Sequence, residues 1–317
     1  MAEPNAKLPI VIFISGPTAT GKSAVASIVA KELDGAVICA DSMQIYKHLD
    51  IGTAKPSAEE RARIKHCLYD IAEPNERFSV AQYVDRCRAE ILRLTSENTV
   101  PIVCGGTGQY ISALIDGVSF LEAETDLVLR EKIYLELESE GAERLIEEIA
   151  KSDAEFALSL HPNNKKKIVR AVELLRASGM TQRGQTECSL PKEKPYTSLL
   201  FVLNSAQRGV LYDRIDSRAD SMLHDGLLEE AKYVFDNKES FATASQAIGY
   251  KEFFPYFTKT ETFESCAEKF KQHTRNYAKR QLTWLKKRGD AIWLDADTDS
   301  RQLAGLITGK YMEAGLK

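Results

Sequence analysis

The feature that most constrains the fold is a phosphate-binding loop near the start of this 317-residue chain. The apolar run IVIFIS leads into GPTATGKS, and apolar residues at helical spacing follow. A GxxxxGK[ST] pattern between a strand and a helix is typical of the P-loop, whose backbone N–H groups and lysine bind phosphate oxygens at a helix N-terminus. The sequence therefore predicts a phosphate site, with Ser23 as a Mg²⁺ ligand, built from Gly16, Pro17, Thr18, Ala19, Thr20, Gly21, Lys22 and Ser23.

The pattern around this loop alternates strands with helices. GAVICA and VPIVCGG are further short apolar runs, and a capped amphipathic helix is predicted between them from Ser79 onward. YTSLLFVLN and AIWLDA are strand candidates later in the chain. Such alternation predicts an α/β fold in which helices flank a parallel sheet, as in P-loop NTPases.

The stretch between these strand groups has a different character. Residues 121–180 are helical in pattern, rich in Glu and Lys, and carry no strand signal, and a polar loop with two prolines follows them. We therefore predict a P-loop catalytic core formed by residues 1–120 and 196–317, interrupted by a helical insertion domain at residues 121–195.

Composition excludes several classes of protein. The net charge of −4 means that a nucleic-acid partner would have to meet a local basic surface. The six scattered cysteines form no CxxC pair, which argues against a disulfide framework or a zinc site. No apolar run approaches the roughly 18 residues of a membrane span, and the polar N-terminus lacks a signal core. We expect a cytoplasmic protein without membrane attachment, and a monomer.

Two further groups stand where predicted strands end. Asp41 follows GAVICA, and Thr107 follows VPIVCGG, so both are expected at the sheet edge where open α/β folds bind ligands. Asp41 suits either Mg²⁺ organisation or general-base chemistry on an acceptor. A motor or switch ATPase commonly has a carboxylate at the end of such a strand, and the hydroxyl after VPIVCGG therefore argues against that class of enzyme. These residues alone leave open a small-molecule kinase that binds ATP and another phosphate-ester transferase.

A longer set of motifs then distinguishes between these classes of enzyme. GPTATGKS, ADSMQIYKHLDIGTAKP, VCGGTGQY, HPNNKKKIVRAVE, RIDSRADSML, QAIGYKE and AKRQLTWLKKR occur in this order. Together they resemble the tRNA dimethylallyltransferase family, also called tRNA isopentenyltransferases. The resemblance implies transfer of a dimethylallyl group from dimethylallyl diphosphate to N6 of the adenine 3′-adjacent to the anticodon, with release of diphosphate.

The resemblance also implies roles for the donor-site residues. The P-loop with Mg²⁺ would hold the diphosphate of the isoprenoid donor and stabilise the leaving group. Asp41 would act as the general base on N6, and Thr107 would hydrogen-bond the bridging or leaving oxygen. Arg214 and Arg218 share one face of a predicted helix, and one or both would clamp the diphosphate, with Arg218 favoured.

On the acceptor side, the resemblance implies a tRNA anticodon stem-loop whose adenine is flipped into a pocket. Ser42, Met43 and Gln44 would contact that adenine, with Gln44 reading its edge. Basic residues from Lys269 to Arg288 would face RNA phosphates. Lys167 stands where the family more often has arginine, and lysine lacks the planar fork. The other predicted tRNA contacts are Gln109, Arg130, Lys165, Lys166, Arg170, Gln246, Gly249, Tyr250, Lys251, Lys279 and Arg280.

Alternatives remain at this point. An enzyme that prenylates free adenine nucleotides would need neither the basic stretch nor the helical insertion. An ATP-dependent small-molecule kinase is disfavoured by DSMQIY and GGTGQY, and a non-catalytic RNA-binding protein by the complete P-loop with Asp41. Phe270, Tyr277 and Trp284 recur every seven residues, and they fit core packing better than base stacking.

Overall fold

The computed structural model describes residues 8–119, 126–181, 184, 189, 191 and 194–316. Its centre is a parallel sheet with the strand order β3–β2–β4–β1–β5–β6, which confirms the predicted α/β fold. The strands are β1 (Ile10–Ser15), β2 (Gly35–Cys39), β3 (Lys65–Cys67), β4 (Val100–Cys104), β5 (Thr197–Asn204) and β6 (Ala291–Asp295).

Strand β3 is not predicted from the sequence. It contains only Lys-His-Cys and pairs with β2 at the edge of the sheet. A run of three residues with two polar side chains gives no apolar alternation, so its pairing depends on the neighbouring strand rather than on a local signal. The strand predicted at VPIVCGG is therefore the fourth in chain order.

The chain folds into two compact units, one up to Ile115 and from Pro195 onward, the other between Asp116 and Lys194. The first unit carries the sheet and the helices Lys22–Glu32, Ala58–Arg63, Val80–Ser96, Gly108–Ile115, Arg208–His224, Leu227–Asp236, Phe254–Phe257, Phe263–Leu285 and Ser300–Leu316. It also has two 3₁₀ turns, Ala244–Gln246 and Lys251–Phe253. The second unit carries the helices Leu127–Glu140, Ala142–Ala150, Ala154–Leu158 and Lys165–Ser178. Parts of the predicted boundary segments, 120–125 and much of 182–193, lie outside the described residues.

Local signals account for several of these elements. Ser79 caps the helix Val80–Ser96 through a reciprocal pair of hydrogen bonds with Gln82, as its sequence predicts. The helix Lys165–Ser178 ends at Gly179, whose φ of +68° favours glycine. In the second unit, Ile133, Leu145 and Ile168 form part of a core of their own.

The topology creates a crevice at the carboxyl ends of β1 and β4. From the adjacent strands β1 and β4 the chain continues in opposite directions across the sheet: β1 leads to β2, beyond β4, and β4 leads to β5, beyond β1. Open α/β sheets bind ligands at such a switch point. The strands that form this edge have buried apolar interiors, which fixes the positions of the loops that follow them. Within the described residues, no helix is long and apolar enough to cross a membrane.

Candidate active site

The P-loop has the backbone that its glycines predict. Gly16 has a φ of +148°, and an added Cβ there would lie 2.2 Å from the carbonyl oxygen of Leu203 in β5. Gly21, with a φ of +78°, precedes the first turn of the helix that begins at Lys22. Only glycine fits the first position without moving backbone, so the close approach of this loop to the sheet depends on it.

Lys22 and Ser23 lie in a cavity of about 240 Å³, called here the Lys22 cavity. The ammonium of Lys22 donates a hydrogen bond of 2.7 Å to the carbonyl oxygen of Pro17. Burial lowers the pKa of Lys22 to about 8, and the positive charge of Arg218 acts in the same direction. Lys22 is thus a partly buried cation whose charge an incoming anion would stabilise.

Asp41 lies in a second cavity, of about 390 Å³, called here the Asp41 cavity. One oxygen of its carboxylate accepts a hydrogen bond of 2.9 Å from the backbone N–H of Met43. The cavity combines this carboxylate with apolar walls and several polar side chains. Its lining includes Thr18, Ser42, Met43, Ile215, Arg218, Ala219, Met222, Gln246, Ala247, Lys251, Phe270, Tyr277 and Arg280.

Arg218 is the residue that lines both cavities, among those the structure describes. Its guanidinium also donates a hydrogen bond of 3.3 Å to the hydroxyl of Thr18 in the P-loop. Burial lowers the pKa of Arg218, and the charge of Asp41 opposes that shift. Arg218 therefore stands between the phosphate loop and the carboxylate.

Arg214 lies one turn away from Arg218 on the same helix but is engaged elsewhere. It forms an ion pair of 2.9 Å with Asp297 and donates to the carbonyl oxygen of Ala296. These partners follow β6, whereas Arg218 contacts the P-loop. The two arginines, of which the sequence analysis favours Arg218, thus occupy different surroundings.

Thr107 is hydrogen-bonded to the segment that follows Asp41. Its hydroxyl accepts from the backbone N–H of Ser42 at 2.9 Å and lies 3.3 Å from the Ser42 hydroxyl. The predicted contact with a leaving oxygen would have to share this hydroxyl. In the structure, Thr107 connects the loop after β4 to the loop after β2.

Gln44 differs from its predicted role in reading a base. Its amide nitrogen donates to the carbonyl oxygens of Thr53 and Ala54, at 2.9 and 3.1 Å. The thiol of Cys39 lies 3.6 Å from its amide oxygen. Because both ends of the amide have partners, Gln44 holds the 53–54 loop in place and is not free to read the edge of a base.

Gly249 and Tyr250 are buried, which corrects their prediction as tRNA contacts. The Tyr250 hydroxyl donates to Glu230 at 2.7 Å, and its ring packs so closely on Gly52 that a Cβ there would lie 2.6 Å away. Tyr250 is a core residue because its ring fills the space under the 50–52 loop. Gln246 and Lys251, from the same predicted group, do line the Asp41 cavity.

The basic stretch on the helix Phe263–Leu285 is partly neutralised by acidic residues from elsewhere. Lys269 pairs with Glu261, Lys271 with Asp220, and Arg275 with Asp216 and Glu268. Four exposed cations on this helix and just after it have no ion pair with the described residues, and together they are called here the basic surface: Lys279, Arg280, Lys286 and Lys287.

The aromatic stripe of this helix serves two purposes. Phe270 packs against Phe253 in the core, with ring centres 6.1 Å apart. Trp284 covers Gly108, where a Cβ would lie 2.6 Å from the indole. Tyr277 lines the Asp41 cavity, and burial, followed by the charge of Asp41, raises its pKa.

The remaining predicted tRNA contacts are not among the residues that line the two cavities. Gln109 is exposed on the helix Gly108–Ile115. In the second unit, Arg130 and Arg170 both pair with the buried carboxylate of Glu173, at 2.8 and 2.9 Å. Exposed lysines begin the helix that carries Arg170, and one of them lies over the Phe156 ring; they are Lys165, Lys166 and Lys167.

The residues present fit one mode of metal binding. Within the described parts of the chain, no cluster of three or more His, Cys, Asp or Glu side chains could hold a metal ion. Mg²⁺ commonly keeps several waters and binds through one or two protein groups together with substrate phosphates. The exposed hydroxyl of Ser23 beside Lys22 fits that mode of binding.

Two residues at the site give no signal in the sequence. Gln281 accepts from the backbone N–H of Thr18 and donates to the carbonyl oxygen of Gly106, at 2.9 and 3.0 Å. Glu230 accepts from the N–H groups of three consecutive residues, 50 to 52. Gln281 lies within the motif AKRQLTWLKKR, yet nothing in its spacing indicates partners more than 170 residues away.

Comparisons with known proteins agree over most of the chain. Residues 44–288 match the family model described as IPP transferase. A tRNA dimethylallyltransferase of Ligilactobacillus salivarius (strain UCC118) is 42% identical over 289 residues, 90% of this chain and 92% of the relative. The crystal structure of a tRNA isopentenylpyrophosphate transferase from Bacillus halodurans has a TM-score of 0.71 at 36% identity, covering 97% of this chain and 98% of that one. A eukaryotic dimethylallyltransferase acting on tRNA has a TM-score of 0.82 at 30% identity, covering 96% and 80%.

Proposed function

The chain belongs to the IPP transferase family, and from that premise we propose that it transfers a dimethylallyl group to tRNA. The donor is dimethylallyl diphosphate. The acceptor is N6 of the adenine on the 3′ side of the anticodon, and diphosphate is released. Dimethylallyl transfer to tRNA is the activity in the names of the curated relatives, and the alternatives of a kinase and a nucleotide prenyltransferase are not favoured.

The observation that carries this function is the arrangement of two cavities about Arg218. The Lys22 cavity offers cations and P-loop amides to a diphosphate, and the Asp41 cavity offers a carboxylate within partly apolar walls. A transfer reaction needs its donor and acceptor to meet in one place. Arg218, which lines both cavities, marks that place.

The chemistry follows from these groups. The N6 lone pair forms a bond to C1 of the dimethylallyl group, and the bond from C1 to the diphosphate oxygen breaks, leaving its electron pair on the diphosphate. Asp41 takes the proton from N6 as general base. Lys22, Arg218 and the P-loop amides stabilise the charge that grows on the leaving group. The residues around Ser23 would hold Mg²⁺, which supplies further positive charge to the phosphates when bound.

The apolar wall of the Asp41 cavity suits the other parts of the substrates. Ile215, Ala219 and Met222 lie on the same helix as Arg218 and face this cavity. They supply a dry surface for a five-carbon allyl group, while Met43 and Ser42 flank the carboxylate on the acceptor side. Excluding water there protects an electrophilic allyl carbon from hydrolysis.

RNA binding is assigned to the basic surface. Its four cations are exposed, and Arg280 also lines the Asp41 cavity, so RNA phosphates on this surface would bring a flipped base to Asp41. The exposed lysines at the start of the helix Lys165–Ser178 are proposed as further contacts. A cytoplasmic location and a monomeric state remain predictions.

The function is tested by incubating the protein with labelled dimethylallyl diphosphate, Mg²⁺ and an unmodified tRNA, with AMP as the acceptor in a parallel reaction. We expect label in tRNA and none in AMP. Label in AMP alone would replace the proposal by the nucleotide prenyltransferase. Label in neither acceptor, from folded protein, would exclude both prenylation functions.

A further inference from the structure

One buried side chain beside the reaction site has no part in the chemistry proposed above. Gln281, on the helix Phe263–Leu285, is 7% exposed and reaches the P-loop. We propose that Gln281 is a positioning residue that sets the donor loop in register with the acceptor carboxylate. This inference rests on the proposed function and deepens it.

The amide of Gln281 bridges two loops that bound the site. Its oxygen accepts from the backbone N–H of Thr18 at 2.9 Å, and its nitrogen donates to the carbonyl oxygen of Gly106 at 3.0 Å. Reversing the amide would set a donor against an N–H and an acceptor against a carbonyl, so only one orientation is satisfied. The bridge therefore fixes both loops to one helix.

Both residues that the Gln281 amide contacts, Gly106 and Thr18, have further features that support this bridge. A Cβ on Gly106 would lie 2.2 Å from the Gln281 amide nitrogen, so the loop after β4 can approach the amide only with glycine there. Thr18 is held from a second side by Arg218, which donates to its hydroxyl. The P-loop residue nearest the acceptor side is thus held by two different helices.

The connection continues from Gly106 to the carboxylate. The next residue, Thr107, accepts from the N–H of Ser42, and Asp41 accepts from the N–H of Met43. A line of hydrogen bonds and short backbone links therefore runs from the P-loop through Gln281 to Asp41. Tyr277, one turn before Gln281 on the same helix, lines the Asp41 cavity.

The expected consequence is kinetic. Without the bridge, the P-loop and the Asp41 loop can each settle into position independently, and a misplacement of about 1 Å between reacting groups costs roughly 100-fold in rate. Affinity for tRNA should not change, because the side chain of Gln281 points to the buried loops and not to the exposed basic surface.

The test compares Gln281→Met with Gln272→Met. Methionine matches glutamine in length and removes both hydrogen bonds, while Gln272 is an exposed residue of the same helix. We expect Gln281→Met to lower the single-turnover rate by roughly 10- to 100-fold with tRNA affinity unchanged. A purely structural role would lower the unfolding midpoint but leave the rate per folded molecule at the Gln272→Met value, and that result would overturn the proposal.

A second variant, Gln281→Glu, tests the bridge independently if Gln281→Met folds poorly. Gln281→Glu keeps an acceptor for Thr18 and regains a donor towards Gly106 only when its carboxyl is protonated. The ratio of its rate to the wild-type rate should therefore rise as the pH is lowered. A ratio that falls as the pH is lowered would count against the bridge.

Binding of inorganic diphosphate without tRNA separates this inference from the proposed function. We expect Gln281→Met to bind diphosphate roughly fivefold more weakly than Gln272→Met, because binding must then also order a P-loop that Gln281 no longer holds. If the wild type transferred no label to tRNA, the proposed function would be rejected. The diphosphate affinities of the two variants would still test whether Gln281 positions the P-loop. Equal diphosphate affinities and equal rates would reject the role of Gln281.

Discussion

The hydroxyl of Thr107 accepts a hydrogen bond of 2.9 Å from the backbone N–H of Ser42, the residue that follows Asp41. This interaction joins the loop after β4 to the loop that presents the carboxylate. It gives Thr107 a role in placing Asp41, beside the predicted contact with the leaving oxygen. The two roles make different predictions.

Replacing Thr107 by valine keeps the shape of the side chain and removes its hydroxyl. If Thr107 places Asp41, Thr107→Val should slow single turnover by roughly 10- to 100-fold while diphosphate affinity is retained. Thr107→Ser should restore most of the rate. A loss of diphosphate affinity in Thr107→Val, with the rate at saturating donor unchanged, would instead favour direct contact with the leaving group.

Diphosphate binding should depend on pH through Lys22. The pKa of Lys22 is lowered to about 8 in the free protein, and a bound diphosphate stabilises the charged ammonium and so raises it. Below pH 8 the cation is already present. Above it, binding must also take up a proton, so affinity should fall by up to about tenfold per pH unit.

The control for this measurement is Lys22→Arg, whose guanidinium keeps its charge across the range. Because diphosphate itself titrates, the informative quantity is the ratio of the wild-type to the Lys22→Arg binding constant, measured by calorimetry. That ratio should decline above about pH 8. A ratio independent of pH would show that the pH dependence of diphosphate binding does not come from protonation of Lys22.

The basic surface should make tRNA binding sensitive to salt. Changing Lys279 and Lys286 to glutamine should weaken tRNA binding and make the slope of log affinity against log salt shallower, by about 0.7 to 0.9 for each phosphate that the protein no longer neutralises. The matched control changes Lys269 and Lys271 to glutamine as well. These two lysines lie on the same helix but pair with Glu261 and Asp220, so their loss should leave the slope closer to that of the wild type. Equal slopes for the two double variants would show that RNA does not bind to the basic surface.

Glu230 should contribute to stability. Its carboxylate accepts from the N–H groups of Asp50, Ile51 and Gly52 at 2.7 to 2.9 Å, and from the Tyr250 hydroxyl. Glutamine can accept at only one of its two ends, so Glu230→Gln should lower the free energy of unfolding by roughly 1 to 3 kcal/mol. The neighbouring exposed Glu229, changed to glutamine, is the control in denaturant unfolding, and an equal effect of both changes would refute the role.

The sequence predicts the parts of this structure that local spacing encodes. The P-loop, the strands at its carboxyl edge and the helix capped by Ser79 follow from glycine placement, apolar periodicity and capping chemistry. Asp41 and Thr107 are expected at one sheet edge because both follow apolar strands, and they do lie at the same edge. These features need no knowledge of distant residues.

The features that the sequence could not predict depend on tertiary neighbours. Tyr250 lies within a motif that suggests RNA contact, but its ring is buried under the 50–52 loop by its interactions with Glu230 and Gly52. The basic stretch is free of carboxylates in sequence, yet Lys271 and Arg275 pair with Asp220 and Asp216 on another helix. Side-chain pairing between remote segments leaves no periodic signal.

The central claim is that the carboxylate of Asp41 takes the proton from the adenine N6 while the P-loop receives the diphosphate. The most direct measurement is the single-turnover rate of Asp41→Asn with saturating dimethylallyl diphosphate and tRNA, beside its affinity for each substrate. Asparagine keeps the shape and the hydrogen bond with the Met43 N–H, so folding and both affinities should be retained. The rate should fall by roughly 10²- to 10⁴-fold. A rate equal to that of the wild type would show that Asp41 is not the base and would contradict the mechanism.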